Sequence, residues 1–322
     1  MLQTPLCALL DINVPIIQGA LGGPWPPSVG LAAAVSEAGA LGSLPTALRS
    51  AQQVGEDIAA LRRLTDRPFA VNHTMKPFVE DVFAEILRAG PPVVSFALGF
   101  STDLVKRAHD AGSVFVQQVH SAAQAAEAAD GGADVVIAQG GEAGGFGGAP
   151  STMVLVPQVV DAVAPLPVVA AGGIADGRGL AAALALGAQG ANVGTRFIAS
   201  EEAELSEGYK ACVLAARSDQ TLRADFINDL VPPSSQGAYP AAPRVVRNAF
   251  VEEWQGRDEH FRAMRDEIAD RMRAAMRDGT VHEFMVVTGE VAGSIDEILP
   301  AGDIVRRMAM EAEEVLRALG RT

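Results

Sequence analysis

Cysteine is nearly absent from this chain of 322 residues, which contains only Cys7 and Cys212. The two lie far apart and form no Cys-x-x-Cys pair, so the sequence argues against a disulfide framework and against a structural zinc site. Reduced thiols are typical of cytosolic proteins. The N-terminus also lacks the basic segment, apolar core and cleavage site of a signal peptide, and we therefore expect a cytoplasmic protein.

Positive charge is scarce as well, with 25 Lys and Arg against 39 Asp and Glu and a net charge of −14. A nucleic-acid partner requires a basic surface, and anionic membranes attract basic segments. We therefore expect neither nucleic acid nor a membrane as a partner. The chain also lacks an apolar run of about 18 residues free of glycine and charge, so no membrane-spanning helix is predicted.

Signatures of several enzyme classes are missing too. There is no His-Glu-x-x-His motif or spaced His/Asp cluster, so no metal site is predicted. There is no Gly-x-Ser-x-Gly elbow of the kind that carries a nucleophilic serine. Only two of the five histidines, His73 and His120, lie at predicted strand ends. These two are the candidates for a catalytic acid or base.

Glycine, in contrast, is abundant and concentrated. Six of the ten residues 139–148 are glycine, directly after a strand-like segment. Two more strand-like segments end in AAGGI, at residues 170–174, and in VGTRF, at residues 193–197. Glycine in a regular element costs roughly 0.5–1 kcal/mol relative to alanine, so such clusters indicate main chain brought close to a ligand. Three of them predict one large, flat or phosphorylated ligand.

Short apolar runs alternate with alanine-rich helical stretches from residue 15 to about residue 200. The eight predicted strands are residues 15–18, 40–44, 69–72, 93–98, 114–119, 134–139, 167–171 and 191–195. The helices predicted between them are residues 27–38, 79–88, 102–110, 122–129 and 177–186. The strands are apolar nearly throughout, as strands covered on both faces must be. This pattern predicts a (β/α)8 TIM barrel, with a doubly wound open sheet as the rival.

The pattern changes after residue 200, and we expect a barrel over residues 1–200 and a mainly helical cap over residues 201–322. Helices are predicted at residues 201–216, 250–277 and 304–319, with a proline-rich loop at residues 229–243. The last helix is expected to pack back on the barrel. The apolar face of this tail could also support a homodimer.

The seventh and eighth predicted strands end in Gly172–Gly173 and Gly194–Thr195. Phosphate sites in barrels often lie after these two strands, and free N–H groups at a helix N-terminus bind anions. We therefore predict a phosphate cradle that includes the start of the helix at Gly177. A Gly-x-Gly-x-x-Ala match at residues 177–182 lies inside that helix rather than on the turn before it, which argues against a dinucleotide fingerprint.

Amide side chains lie at several strand ends. They are Gln18, Asn72, Gln117, Gln118, Gln139 and Asn192. An amide offers both a donor and an acceptor without charge, which suits the edges of a heteroaromatic ring. Several amides at one end of the barrel favour a flavin ring over a sugar phosphate. Glu142, inside the glycine run, is either a ligand contact or a solvated loop acid.

Three segments together resemble the nitronate monooxygenase family of FMN-dependent barrels: PIIQGALGG at residues 15–23, QGGEAGGFGG at residues 139–148, and the long stretch at residues 167–203. The resemblance spans nearly the whole chain. It implies an FMN-dependent oxidoreductase that oxidises alkyl nitronates, with electrons passing to flavin N5 and then to O2. The implied FMN contacts are Gln18, Gly19, Ala20, Asn72, Gln139, Gly144, Gly172, Gly173, Asn192, Val193, Gly194 and Thr195.

One position departs from this family. Its glycine loop usually reads EAGGH, and that histidine is the proposed catalytic base, whereas this chain has Phe146. General-base catalysis is typically worth 10²–10⁴-fold, so we expect poor oxidation of neutral nitroalkanes. A nitronate has already lost its C–H proton, and its oxidation is expected to survive. His73 and His120 are the candidates for a substitute base.

Other functions stay open at this stage. Related barrels include NAD(P)H-dependent flavin reductases of quinones or enoyl thioesters, which would add NAD(P)H to the expected partners, a small-molecule substrate and O2. A flavin-free phosphosugar enzyme would use the same phosphate cradle, although it usually needs a Lys or Glu at a strand end. A flavin-binding protein without activity is the third alternative, because fold does not fix function.

Overall fold

Eight short parallel strands form a barrel at the centre of the molecule. The computed structural model describes residues 2–22, 28–230 and 241–320. The strands are β1 Ile16–Gln18, β2 Gly42–Pro45, β3 Phe69–Thr74, β4 Val93–Ala97, β5 Val114–Val119, β6 Val135–Gln139, β7 Val168–Ala171 and β8 Gly190–Val193. Strand β1 pairs with β8, and a parallel bridge between Ile17 and Leu41 joins it to β2. The predicted TIM barrel is confirmed.

Helices fill the connections between the strands. Helix α1 Pro5–Leu10 precedes β1, and the connections contain α2 Val29–Glu37, α3 Ala51–Leu64, α4 Glu80–Ala89, α5 Thr102–Asp110, α6 Ala122–Asp130, α7 Thr152–Val163 and α8 Gly177–Ala185. The predicted first helix began at residue 27, which lies outside the described residues. The eighth strand ends at Val193 rather than at residue 195, because Thr195 begins the short helix α9 Thr195–Ile198.

The sequence analysis did not predict two of the helices that connect barrel strands, α3 and α7, or the short helices α1 and α9. Helix α3 begins at a capping box, in which the Ser50 hydroxyl and the Gln53 side chain each accept a hydrogen bond from the other residue's main-chain N–H. Helix α7 contains Pro157, a residue that usually ends helices. Its buried residues Leu155, Val159 and Val163 nevertheless repeat every four residues, and burial of this face outweighs the unfavourable proline.

The two faces of the strands bury different residues. One face packs against the surrounding helices and forms the largest hydrophobic cluster. The other face fills the barrel interior with residues such as Ile17, Val116 and Val169. Leu6 and Leu10 of α1 belong to this interior cluster, so α1 closes the N-terminal end of the barrel. The opposite end, where the strands finish, is left for a binding site.

The chain after α9 forms a second layer over the barrel. It comprises α10 Glu207–Ala215, an antiparallel pair β9 Thr221–Arg223 and β10 Arg244–Val246, then α11 Ala249–Trp254, α12 Asp258–Ala263, α13 Arg265–Asp278 and α14 Ala301–Leu319. Phe226, Phe250 and Trp254 belong to a hydrophobic cluster of this region. Helix α14 packs against α8 and α2 on the outside of the barrel. The C-terminal helical cap expected from the sequence is confirmed.

The single helix predicted for residues 250–277 is wrong. The chain forms α11, α12 and α13 there, and Gly256 adopts a positive φ of 76° between the first two. A right-handed helix cannot continue through that conformation. The predicted loop at residues 229–243 falls largely on residues 231–240, outside the described part of the chain. None of the described helices combines the length and apolar character that a membrane crossing requires.

Candidate active site

A cavity of about 540 Å³ lies at the C-terminal ends of the barrel strands. Its barrel wall consists of residues from all eight strands, and the cap supplies the facing wall. Of the residues predicted to bind a cofactor, all but Val193 line it: Gln18, Gly19, Ala20, Asn72, Gln139, Gly144, Gly172, Gly173, Asn192, Gly194 and Thr195. The fold therefore brings most of the predicted site together in one place.

Three glycines at the ends of β7 and β8 present bare main chain to this cavity. Gly172 and Gly173 have positive φ angles of 109° and 72°, which only glycine adopts without strain. A Cβ atom at Gly194 would meet no heavy atom within 4 Å, so space for a ligand lies beside it. Within the described residues, the main-chain N–H groups of these three glycines donate to no protein acceptor. Such a cluster of donors suits an anion.

The start of α8, predicted as part of the phosphate cradle, is already occupied. The N–H of Gly177 donates to Glu311 Oε2 at 2.7 Å, and the N–H of Gly179 donates to Asp176 Oδ1 at 3.0 Å. These carboxylates cap the helix and neutralise its positive end. The N–H groups at the start of this helix are therefore not available to an anion, in contrast to the prediction.

The amides of β1 and β3 are held by main chain and neighbouring side chains. Gln18 Oε1 accepts the N–H of Ser43 at 2.8 Å, while Gln18 Nε2 donates to Gly19 O at 2.6 Å. Asn72 Nδ2 donates to Ser95 Oγ at 3.0 Å. Gln117 lies outside the cavity, where its Nε2 donates to Gly99 O at 3.0 Å. Of the predicted amide residues, Gln117 is the one that the fold keeps away from the site.

Two of the remaining amides, Gln118 and Gln139, are joined by a hydrogen bond at the Gln139 side-chain oxygen. Gln139 Oε1 accepts a hydrogen bond from Gln118 Nε2 at 2.8 Å and lies 3.0 Å from His120 Nε2. Gln139 Nε2 donates to Gly144 O at 3.2 Å. Gln118 and Gln139 line the cavity, and His120 lies behind them. Burial, and to a lesser extent the charge of Arg223, lowers the pKa of His120, which favours its neutral form.

His73 lines the cavity, but both of its ring nitrogens form hydrogen bonds within the protein. Thr46 Oγ1 donates to Asn72 O at 2.9 Å, so it accepts the hydrogen of His73 Nδ1, 2.7 Å away. His73 Nε2 accepts the N–H of Val79 at 3.4 Å. Burial lowers the pKa of this imidazole to about 4. His73 is therefore neutral at pH 7, and both of its ring nitrogens take part in hydrogen bonds.

The glycine-rich loop after β6 is tied to the cap by two arginines that the sequence did not single out. Arg223 Nη2 donates to the carbonyl oxygens of Gly141, at 3.0 Å, and Gly148, at 3.2 Å. Arg244 Nη2 also donates to Gly141 O and pairs with Glu290 at 2.9 Å. Their partners are mainly main-chain oxygens, which no sequence motif marks. The loop that carries the cavity's glycines thus depends on β9 and β10 for its shape.

Glu142 does not behave as a solvated loop acid. Its carboxylate accepts the N–H of Thr152, at 2.8 Å, and the hydroxyl of Thr152, at 2.9 Å. Thr152 is the first residue of α7, so Glu142 caps that helix. A carboxylate near a helix N-terminus is stabilised by the helix dipole. Glu142 therefore links the glycine loop to the barrel while its side chain borders the cavity.

The cap side of the cavity is apolar. Met272 and Met276 lie one turn apart on α13 and face it together with Met285. Phe146, from the glycine loop, lines the same space. Methionine is flexible and polarisable and makes favourable contacts with aromatic rings. This wall suits an apolar substrate, and none of these four side chains can accept a proton from carbon.

The chain is similar to known oxidoreductases in sequence and in structure. A family model described as nitronate monooxygenase matches residues 3–85 and 74–311. A (3aS,4S,5R,7aS)-5-hydroxy-7a-methyl-1-oxo-octahydro-1H-indene-4-carboxyl-CoA dehydrogenase of Mycobacterium tuberculosis is 31% identical, over 97% of this chain and 96% of that protein. A probable nitronate monooxygenase of Staphylococcus saprophyticus is 33% identical, over 81% of this chain and 83% of that protein. The solved structure of FabK from Thermotoga maritima superposes with a TM-score of 0.88 at 33% identity, covering 99% of each chain.

Proposed function

The chain belongs to the nitronate monooxygenase family, and on that premise we propose that it is an FMN-dependent oxidoreductase that oxidises alkyl nitronates with O2. The observation that carries this proposal concerns the main-chain N–H groups of Gly172, Gly173 and Gly194, which donate to no protein acceptor in the described part of the chain. They line the same cavity as the amides of Gln118, Gln139 and Asn192. Such donors fit a phosphate, and the amides fit a flavin ring.

Different residues would bind the phosphate and the ring of the cofactor. The turns after β7 and β8 would hold the phosphate through main-chain donors, without a lysine or arginine. The side chains of Asn72, Gln139 and Asn192 would hold the ring. When bound, FMN supplies an acceptor for the electrons of the substrate.

The chain's own residues would then orient the substrate and exclude water. Phe146, Met272 and Met276 would pack against the alkyl part of a nitronate. No proton needs to leave carbon in that substrate, so the loss of a histidine at position 146 is compatible with turnover. A neutral nitroalkane requires a base first. Among the described residues that line the cavity, His73 is hydrogen-bonded through both nitrogens, and the carboxylate of Glu142 accepts the N–H and hydroxyl of Thr152.

Two measurements test this proposal. The absorbance spectrum of the purified protein, followed by titration of the stripped protein with FMN, tests the cofactor. Oxygen consumption with a preformed alkyl nitronate and with the same compound as the neutral nitroalkane tests the substrate form. We expect FMN binding at micromolar levels or tighter, and turnover of the nitronate well above that of the nitroalkane. A colourless protein that does not take up FMN would overturn the assignment.

A second candidate function is a flavin-dependent dehydrogenase or reductase of acyl thioesters, with NAD(P)H as the reductant in the second case. The apolar wall formed by Met272, Met276 and Met285 favours it, and the dehydrogenase of Mycobacterium tuberculosis, whose name specifies a CoA thioester, aligns over 97% of this chain. Anaerobic mixing separates the possibilities. Bleaching of the flavin by NADH or NADPH supports a reductase, bleaching by an acyl-CoA supports a dehydrogenase, and bleaching by a nitronate alone supports the first proposal.

A further inference from the structure

Two hydrogen-bond donors converge on the side-chain oxygen of Gln139. Gln118 Nε2 lies 2.8 Å from it and His120 Nε2 lies 3.0 Å from it. Gln139 Nε2 in turn donates to the carbonyl oxygen of Gly144 at 3.2 Å. An amide oxygen has two lone pairs, and both are used here by the protein. This network determines which way the Gln139 amide faces, because rotation by 180° would place an NH2 group against two donors.

The network leaves a defined pair of groups for a ligand. Gln139 has no acceptor capacity left on its side chain, so it offers the second hydrogen of Nε2. Gln118 turns its NH2 group toward Gln139 and therefore offers Oε1. Both side chains line the cavity, on the adjacent strands β5 and β6. The cavity thus presents one acceptor and one donor next to each other.

We propose that Gln118 and Gln139 together bind a ring edge at which an N–H group and a carbonyl oxygen are neighbours, and that His120 is the positioning residue that fixes the direction of this contact. The inference rests on the proposed function in its choice of ligand. In a flavin, the N3–H group and the adjacent carbonyls form such an edge.

The surroundings of His120 keep it in place for this role. Its main-chain N–H donates to Gln124 Oε1 at 2.7 Å. Gly148 lies so close that a Cβ atom there would be 2.9 Å from His120 Cβ. Because Gln139 Oε1 can only accept, the neutral imidazole must carry its hydrogen on Nε2. His120 is outside the cavity lining, so it acts on a ligand through Gln139 and not by direct contact.

The test compares FMN with FMN methylated at N3, which lacks the N–H group, in the wild type, His120→Leu and His120→Gln. One hydrogen bond corresponds to about a tenfold change in affinity, and the methyl group adds a steric penalty to that.

We expect the wild type to bind FMN at least about tenfold more tightly than the methylated form, by fluorescence titration. His120→Leu should reduce this preference, because the Gln139 amide then keeps only its contacts to Gln118 and Gly144. His120→Gln, which keeps an N–H donor at similar reach, should restore it, and His260→Leu, at an exposed position, should leave it unchanged.

A second readout does not require any flavin. Nitrogen-15 NMR of histidine-labelled protein at pH 7 should show His120 with its hydrogen on Nε2, assigned by the loss of that signal in His120→Leu. A hydrogen on Nδ1, or FMN binding with equal affinity for the methylated form, would overturn the inference while the proposed function stands. A protein that binds neither flavin overturns the proposed function together with this choice of ligand.

Discussion

Arg223 and Arg244 donate hydrogen bonds to the same atom, the carbonyl oxygen of Gly141, and each Nη2–O distance is 3.0 Å. Burial, followed by the charge of Arg244, lowers the pKa of Arg223. Two guanidinium groups so close together repel each other, and Glu290 offsets part of that repulsion through its ion pair with Arg244. The arrangement fastens the glycine loop after β6 to β9 and β10. The position of Phe146 therefore depends on Arg223 and Arg244, which lie 77 and 98 residues later in the chain.

Replacement of Arg223 by methionine should loosen this loop. Arg223 donates to the carbonyl oxygens of Gly141, Gly148 and Ala242. One hydrogen bond from a charged group contributes about 1.5–3 kcal/mol, and contributions within one network do not simply add. We expect Arg223→Met to lower the free energy of unfolding by ~2–4 kcal/mol in denaturant titrations and to weaken FMN binding about tenfold. Arg217→Met is the matched control, because Arg217 is exposed and forms an ion pair with Asp219 at the surface. Equal effects of the two substitutions would show that the contacts to the loop are unimportant.

Gly194→Ala should weaken cofactor binding without weakening the fold. A Cβ atom at this position meets no heavy atom within 4 Å, and φ is −103°, which alanine adopts without strain. The methyl group would, however, enter the space assigned to the phosphate. We expect at least a tenfold loss of FMN affinity, an unchanged affinity for riboflavin, which has no phosphate, and no loss of thermal stability.

The control for this prediction is Gly30→Ala in α2, where a Cβ atom also meets nothing within 4 Å. Alanine is the better helix former, so this variant should be equally or more stable and should bind FMN like the wild type. If Gly194→Ala also binds FMN like the wild type, the phosphate lies elsewhere.

Local patterns in the sequence were sufficient to predict the barrel and many residues of the candidate site. Strands covered on both faces read as short apolar runs, and the glycines after β6, β7 and β8 stand out because regular elements disfavour them. Gly172, Gly173 and Gly194 were found for that reason, and they do share one cavity. The break at Gly256 lies within a charged segment whose composition is helical, and a single glycine there is a weak sign of a helix end.

Contacts between distant residues are what the sequence could not provide. Glu311 caps α8 at Gly177, 134 residues earlier in the chain, and so occupies an N–H group that was predicted to bind an anion. Arg223 and Arg244 reach main-chain oxygens of the glycine loop, and any residue type at those loop positions would offer the same oxygens. His120 lies at a strand end as expected, yet only the fold shows that Gln139 separates it from the cavity.

His73 should make the protein less stable in mild acid. Its pKa is about 4 in the folded protein against 6.5 for an exposed histidine. Above pH 6.5 neither state binds the proton, so this residue has no effect there. Between pH 6.5 and pH 4 the His73 imidazole is protonated in the unfolded chain but neutral in the folded protein. The free energy of unfolding therefore falls as the pH is lowered. The loss from this group between pH 7.5 and pH 5 should be about 2 kcal/mol.

Denaturant titrations of the wild type and His73→Gln at these two pH values measure that contribution. The variant has no group that titrates at this position, so its stability should depend on pH less than that of the wild type by about 2 kcal/mol, whatever its stability at pH 7.5. His260→Gln, on the exposed surface, provides the comparison and should keep the wild-type dependence. A His73→Gln variant with the full wild-type dependence would mean that His73 is protonated inside the fold.

Phe146→His should extend the reaction to substrates that still carry their proton. Phe146 lines the cavity at the position where the family's histidine is expected, while His73 and His120 are held by hydrogen bonds to Thr46, Val79 and Gln139. A base introduced at position 146 is expected to raise kcat/KM for a neutral nitroalkane by roughly 10²–10⁴-fold. The value of kcat/KM for the corresponding nitronate should stay within about threefold of the wild type, because that substrate needs no base.

The control is Phe146→Leu, which changes the size of the side chain without adding a base. The ratio of kcat/KM for the two substrates should then stay near that of the wild type. If the wild type already oxidises both forms equally well, another group removes the proton, and the absence of a histidine at position 146 does not limit the reaction.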